Sequence, residues 1–215
     1  MAARLPDGSI VSLGVAFGSV KNLSAITNAN PAVASSTAHG LANGDIGSIV
    51  SGWSRLNGRV VRAAAVATNA FNLDGIDSSQ TALYPAGSGG GTFLPVTSWT
   101  QIAQILEFTT EGGDQQFSNF SFLEQDFETQ IPTTTSAQRI NMSLADDPAL
   151  AGYQALKAAA ELRAIRPLRI SLPDGSFILY QGYVSFNETP STTKGQVMAV
   201  RASFSLLARP VRYAS

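Results

Sequence analysis

The chain has 215 residues, 44% of them apolar, which is enough to bury the core of one large domain or two small ones and excludes a disordered polypeptide. Only 13% are charged, the formal net charge is −1 and no Lys or Arg stands beside another, so the electrostatic footprint of a tight nucleic-acid binder is missing. With no cysteine, disulfides, thiolate metal sites and cysteine nucleophiles are excluded, and the redox compartment is left open.

So low a share of charge predicts a surface largely covered by further copies of the chain. No apolar run approaches the ~18 residues of a membrane helix. The first eight residues lack a signal-peptide core because Pro6-Asp7-Gly8 interrupts them, so the chain is expected to start and stay in the cytoplasm.

A first strand is predicted over 9–20. From about 24 to 91 the composition shifts to Ala, Asn, Gly and Ser, with short apolar runs at 46–50, 59–66 and 71–73. This stretch ends in Pro85-Ala86-Gly87-Ser88-Gly89-Gly90-Gly91, whose glycines permit a flexible or left-handed backbone. It reads as a small β module with its own boundary, placed between the first strand and the strand after Trp99.

From 101 to 144 the pattern is period two. It includes Ile102-Ala103-Gln104-Ile105-Leu106, a Glu111-Gly112-Gly113-Asp114 loop, and a stretch over 120–128 predicted as a long acidic strand. In such a strand Phe120 and Phe122 share a face with Glu124, Asp126 and Glu128. Ile140, Met142 and Leu144 alternate with Arg139, Asn141 and Ser143, which gives one core face and one other face.

A helix is predicted over 148–163, with Asp147 as its cap, Pro148 in its first turn, and Tyr153, Leu156, Ala159 and Ala160 as its packing stripe. Pro167 is expected to stop it. A hairpin follows over 168–177 around Pro173-Asp174-Gly175. The last strand, over 195–207, turns Met198, Val200, Ala202, Phe204 and Leu206 inward. One helix cannot cover both faces of such a sheet, so the other face must meet water or other subunits.

Few residues could carry chemistry. His39 is the sole histidine; it lies in an Ala-His-Gly turn and no Gly-x-Ser-x-Gly elbow exists, so a Ser-His-Asp triad lacks its context. One His without Cys leaves no zinc set. Asp74-Gly75-Ile76-Asp77 lacks the remaining oxygen ligands of a calcium loop, and the glycines at 87–91 lack the Lys-Ser/Thr of a phosphate loop. Asp146-Asp147 fits helix capping. No catalytic residue, cofactor or metal is expected.

Four features together resemble the major tail tube protein of long-tailed, lambda-like bacteriophages (siphoviruses). They are Trp99 leading into the apolar segment at 102–106, the acidic stretch at 120–128, the helix after Asp146-Asp147, and the hairpin at 168–177. They are followed by Tyr180-Gln181-Gly182-Tyr183-Val184 and a closing strand ending in Leu207-Ala208-Arg209-Pro210. The module's segments, such as Thr37-Ala38-His39-Gly40 and Leu56-Asn57-Gly58-Arg59, resemble a small β-barrel repeat of phage structural proteins. That repeat is similar to the non-catalytic first catalytic-cysteine half-domain of ubiquitin-activating enzymes.

The resemblance implies a mainly β (α+β) fold, a tail-tube β-sandwich or barrel with one flanking helix. Residues 1–21 and 95–215 would form the tube domain, and 22–94 an inserted all-β module that projects outward. It implies a virion subunit that forms hexameric rings stacked into a tube, assembled in the host cytoplasm, whose lumen conducts genomic DNA without binding it specifically. The implied partners are the tape-measure protein, the tail terminator and the distal tail protein.

Glu124, Asp126 and Glu128 read either as a solvated hairpin end outside the core or, with Glu107 and with Glu111 and Asp114 near them, as facing the lumen and repelling DNA of like sign. Ring and stacking contacts are expected from Glu111, Asp114, Ile140, Met142, Lys194, Arg201 and Phe204, from the two alternating strands, and from the N-terminal arm and the tail after Arg209. The competing readings are an adhesion or decoration protein gripping a cell-surface carbohydrate, a tail terminator ring, and, distantly, a hydrolase using His39.

Overall fold

The computed structural model describes residues 7–214; the first six residues of the N-terminal arm lie outside them. The chain opens with β1 (Ile10–Phe17) and six short strands: β2 (Lys21–Leu23), β3 (Ala25–Ile26), β4 (Ala32–Ser35), β5 (Ile46–Ser51), β6 (Val60–Ala67) and β7 (Ala70–Leu73). The long β8 (Gly91–Ile102) follows, then β9 (Ile105–Glu111), β10 (Gln115–Phe120), β11 (Thr129–Thr135) and β12 (Arg139–Ala145). After α1 (Ala151–Glu161) come β13 (Ile165–Ser171), β14 (Phe177–Ser191), β15 (Ala199–Leu206) and β16 (Val211–Tyr213).

Among the described residues the protein is therefore mostly antiparallel β with a single helix, as expected. One 14-stranded sheet runs in the order β3-β4-β7-β6-β5-β8-β1-β13-β14-β15-β12-β9, with β16 added to β14 and β2 to β8. β10 and β11 form a separate two-stranded hairpin.

β8 divides its pairing. Its first half meets β2 and β5, and its second half meets β1. Glycine makes the crossover possible: a Cβ on Gly91 would stand 2.0 Å from the Val50 carbonyl oxygen, closer than any side chain tolerates.

Two cores result. The first encloses Trp53, Leu56, Phe71 and Leu73 of the segment between β1 and β8 with Phe93 of β8, and it reaches Leu179, Val211 and Tyr213 on β14 and β16. The second encloses Val11, Leu13, Ile102, Leu168, Ile170, Ile140, Met142, Val200 and Phe204 under α1. The alternation read in β12 holds, since Ile140, Met142 and Leu144 are all buried. The helix stripe also holds, with Tyr153, Leu156 and Ala159 buried and Ala160 packed against them.

Because the sheet curls around this second core, its other face is the outside of the body. Over the first half of β14 that outside is covered by the first core, through Leu179. Over β9, β12, β15 and the second half of β14 it is bare.

Four sequence expectations change. The acidic segment is no strand: β10 ends at Phe120, and 121–128 form the turn at the tip of the β10–β11 hairpin. Asp and Glu are weak strand formers, and three of them crowd the last five residues of the segment. The helix starts at Ala151, after an N-cap at Leu150 that makes no side-chain cap hydrogen bond; Asp147 Oδ1 instead accepts from the Ala149 N–H at 3.1 Å in the turn before it.

Pro167 does not stop the helix. The stop is Arg163, at φ 50°, while Pro167 lies within β13 opposite Gln181, one residue beyond the end of the β1 ladder at Leu13–Leu168. Its missing N–H is tolerated at such a ladder end, and its ring packs over Gly14, where a Cβ would come within 2.5 Å. Met198, expected inward, precedes β15 and is 45% exposed.

Candidate assembly surfaces

The bare outer face of β14, β15, β12 and β9 forms a trough of about 470 Å³. The registers place Glu107, Ser143, Arg201 and Asn187 in one cross-strand row, and Thr109, Asn141, Ser203 and Ser185 in the next. Glu111, Arg139, Ser205 and Tyr183 make a third. Two carboxylates thus face two guanidiniums among hydroxyls and amides. The wall is polar and close to neutral.

This four-stranded patch has two open sides. β9 is the last strand of the sheet, and β14 has no partner beyond Tyr183 on the side where β13 ends. Exposed backbone donors and acceptors along such edges are a template for pairing. Since β14, β15, β12 and β9 alternate in direction, a β9 edge laid against the β14 edge of another copy would continue the antiparallel order.

The β10–β11 hairpin is the second surface. Phe117 is 54% exposed, Phe122 58%, Phe127 66% and Ile131 51%, while Leu123 is completely exposed. A cluster of large apolar side chains in water on one small hairpin marks a surface that another molecule covers. At the tip, Phe120 and Phe122 meet edge to face at 5.6 Å and Asn119 Nδ2 donates to Glu128 at 3.0 Å. At the base, the Gly113 and Asp114 N–H groups both donate to Ser136 Oγ.

The expected site residues therefore separate into five places. Glu107, Glu111 and Arg201 lie on the trough face; Glu124, Asp126 and Glu128 lie at the hairpin tip, Asp114 at the hairpin base, and Lys194 in the exposed loop between β14 and β15. Ile140, Met142 and Phe204 face inward at 0%, 2% and 0% exposure, so their side chains belong to this chain's own core and cannot touch a neighbour. Their strands, β12 and β15, are each paired on both sides. The assignment of these three residues to subunit contacts is thereby corrected: alternation identifies a buried face, and here the body buries it alone.

His39 is buried, and both of its nitrogens serve the backbone. Nδ1 accepts from the Leu41 N–H at 3.1 Å, which leaves Nε2 to donate to the Ala67 carbonyl at 2.9 Å, and the ring meets Phe71 edge-on at 5.1 Å. Among the described residues no group of three or more His, Cys, Asp or Glu could hold a metal ion, and no helix is long and apolar enough to cross a membrane.

The segment between β1 and β8 is joined to β14 and β16 by a clamp that sequence reading missed. Arg62 on β6 binds Asp74 through Nε at 2.8 Å and Nη2 at 2.6 Å, and its guanidinium lies 4.6 Å from the Tyr213 ring centre and 5.4 Å from that of Phe177. Tyr213 Oη accepts from the Arg62 N–H at 2.9 Å and donates to the Asp74 carbonyl at 3.0 Å. Burial, above all, pushes the Tyr213 phenol up to about 12.

No curated protein matches the chain. The family described as phage tail tube protein (TTP) matches residues 51–215, well over half of the sequence, and this span includes the trough, the hairpin and β16. The curled sheet, its single helix and this match together establish that the chain belongs to the phage tail tube protein family.

Proposed function

We propose that six copies of this chain close into a ring through their sheet edges, that rings stack into the tail tube, and that the trough lines the lumen through which genomic DNA passes. The observation that carries the reading is the coincidence of a polar, unoccupied sheet face with an open edge on each side of it. A joint from β9 of one copy to β14 of the next is head to tail, and such joints close into rings when the rotation allows. Closed barrels of many strands leave a channel rather than a packed interior.

The wall chemistry suits passage without binding. Glu107 and Glu111 are balanced on this face by Arg139 and Arg201, and the rest of the three rows is Ser, Thr, Asn and Tyr183. DNA would meet neither a basic track nor a strongly repelling one. On this reading the bore differs from the negatively lined one expected from the sequence, because the tip carboxylates stand apart from the trough on a separate hairpin.

The segment between β1 and β8, read as an inserted module, packs on the same face of β14 as the trough but beyond the trough's end, through Leu179 and Phe177, so it would stand at the margin of the lumen rather than line it. In the virion the lumen would hold the tape-measure protein before ejection, and the tube ends would meet the terminator and distal tail proteins. Electron microscopy of the purified protein with mass by light scattering tests the reading. Stacked rings with a central pore are expected; a monomer at every concentration would overturn it.

A further inference from the structure

The base of the β10–β11 hairpin borders a groove of about 720 Å³. It is lined by Arg59, Arg209, Leu207, Gly113 and Gln115, among others. Arg59 Nε donates to the Arg209 carbonyl at 3.4 Å, and Arg209 Nη2 to Thr135 Oγ1 at 3.5 Å; both contacts are at the long limit of a hydrogen bond. Among the described residues no carboxylate lies within ion-pair distance of Arg55, Arg59 or Arg209. Burial, and then the charges of Arg209 and Arg55 against an opposing effect of Tyr84, hold the Arg59 guanidinium below its ordinary value. Cations crowded together without counter-charge, beside the 45%-exposed Leu207, call for an acidic and apolar ligand.

That ligand's composition is found at the other end of the same hairpin. The tip carries Glu124, Asp126 and Glu128 interleaved with exposed Phe122, Leu123 and Phe127. β10 has six residues, so tip and base are about 20 Å apart, and the tip cannot fill its own groove. Resting on the tube reading above, we propose that the acidic, aromatic tip of one copy docks in the groove of Arg59 and Arg209, with Arg55 close to Arg59 outside its lining, on a second copy in the adjoining ring. A tip and a groove displaced along one hairpin make a head-to-tail contact that repeats without closing, which is the symmetry of a stack. The apolar tip residues supply burial, and the charges set the register and the partner.

Charge reversal in the full-length protein tests this. The groove variant Arg55→Glu/Arg209→Glu and the tip variant Glu124→Arg/Asp126→Arg change exposed side chains only, so each should unfold at the parent's midpoint. Each should raise the concentration needed for tube growth at least about tenfold, in a salt-dependent way. The four-fold variant carrying both reversals, or an equimolar mixture of the two, should recover assembly towards the parent level. Tubes growing from either single variant at the parent's concentration, or no recovery on combination, would overturn the docking while leaving the tube reading intact. Duplex DNA bound by the parent and lost in the groove variant, with growth unchanged, would assign the arginines to phosphate instead. A parent that never polymerises would overturn both.

Discussion

Tyr213 shows how much one side chain near a chain terminus can carry. Its hydroxyl links the Arg62 N–H to the Asp74 carbonyl, and its ring, stacked on Phe177 at 4.9 Å, faces the Arg62 guanidinium. Tyr213→Phe keeps the ring and removes the link, leaving a part-buried donor without its partner. A loss of about 1 to 3 kcal/mol is expected in urea unfolding at neutral pH. The pH dependence has a definite sign. The folded phenol titrates near 12 against an ordinary value of 10.0, so the protein favours the neutral form. That stability is complete below pH 10 and is lost as pH rises from 10 to 12, about 3 kcal/mol at most. The parent should therefore lose stability over this window more steeply than Tyr213→Phe. Parallel curves for the two proteins would show that the phenol is not held neutral by the fold.

Gly152 gives a second single-residue test, with the opposite of the usual outcome. Within a helix Gly→Ala ordinarily gains up to about 1 kcal/mol. Here α1 lies so close to β8 that a Cβ on Gly152 would stand 2.5 Å from the Gln101 carbonyl oxygen and 2.8 Å from the Ile102 Cα. Backbone cannot step aside as a flexible side chain does, so Gly152→Ala should destabilise by about 1 to 3 kcal/mol in the same assay. A stabilised variant would mean that the helix can move off the sheet.

At the scale of elements, the hairpin and β12 show where sequence is readable. β12 alternates because one of its faces is buried by the chain itself, and the pattern named Ile140, Met142 and Leu144 correctly as core. Residues 120–128 lack that pattern, since Phe122 and Leu123 are adjacent and Phe127 has the other parity, and they form a turn in which Phe122 and Phe127 meet no core of their own. The Arg55, Arg59 and Arg209 cluster was illegible for a different reason, since Arg209 joins the other two only through the fold. The helix start was misplaced because a proline after an aspartate looks the same in a helix's first turn and in the turn preceding it. If the tip's apolar residues are there for a neighbour, Phe122→Ser/Leu123→Ser/Phe127→Ser should unfold within about 0.5 kcal/mol of the parent while tube growth fails. A large loss of monomer stability would place these residues in an intramolecular role.

For the whole molecule, the question is why a sheet of this size stays open. β3, at one end, has only two residues, a short edge that invites little pairing. β9, at the other, has seven residues and bears Leu106, 55% exposed, at the register shift between its pairs with Ser143 and Leu144. A protein that needed only to remain a monomer would blunt that edge with charge. Leu106→Lys does so from outside: the side chain leaves no cavity, and monomer stability should change by no more than about 0.5 kcal/mol. If β9 joins the next copy, the lysine must be buried against a strand edge or held away from it, and either way the joint weakens. Light scattering should then show monomers at concentrations where the parent forms rings. Rings at the parent's concentration would move the joint away from β9 and leave the trough without the continuous wall that the lumen requires.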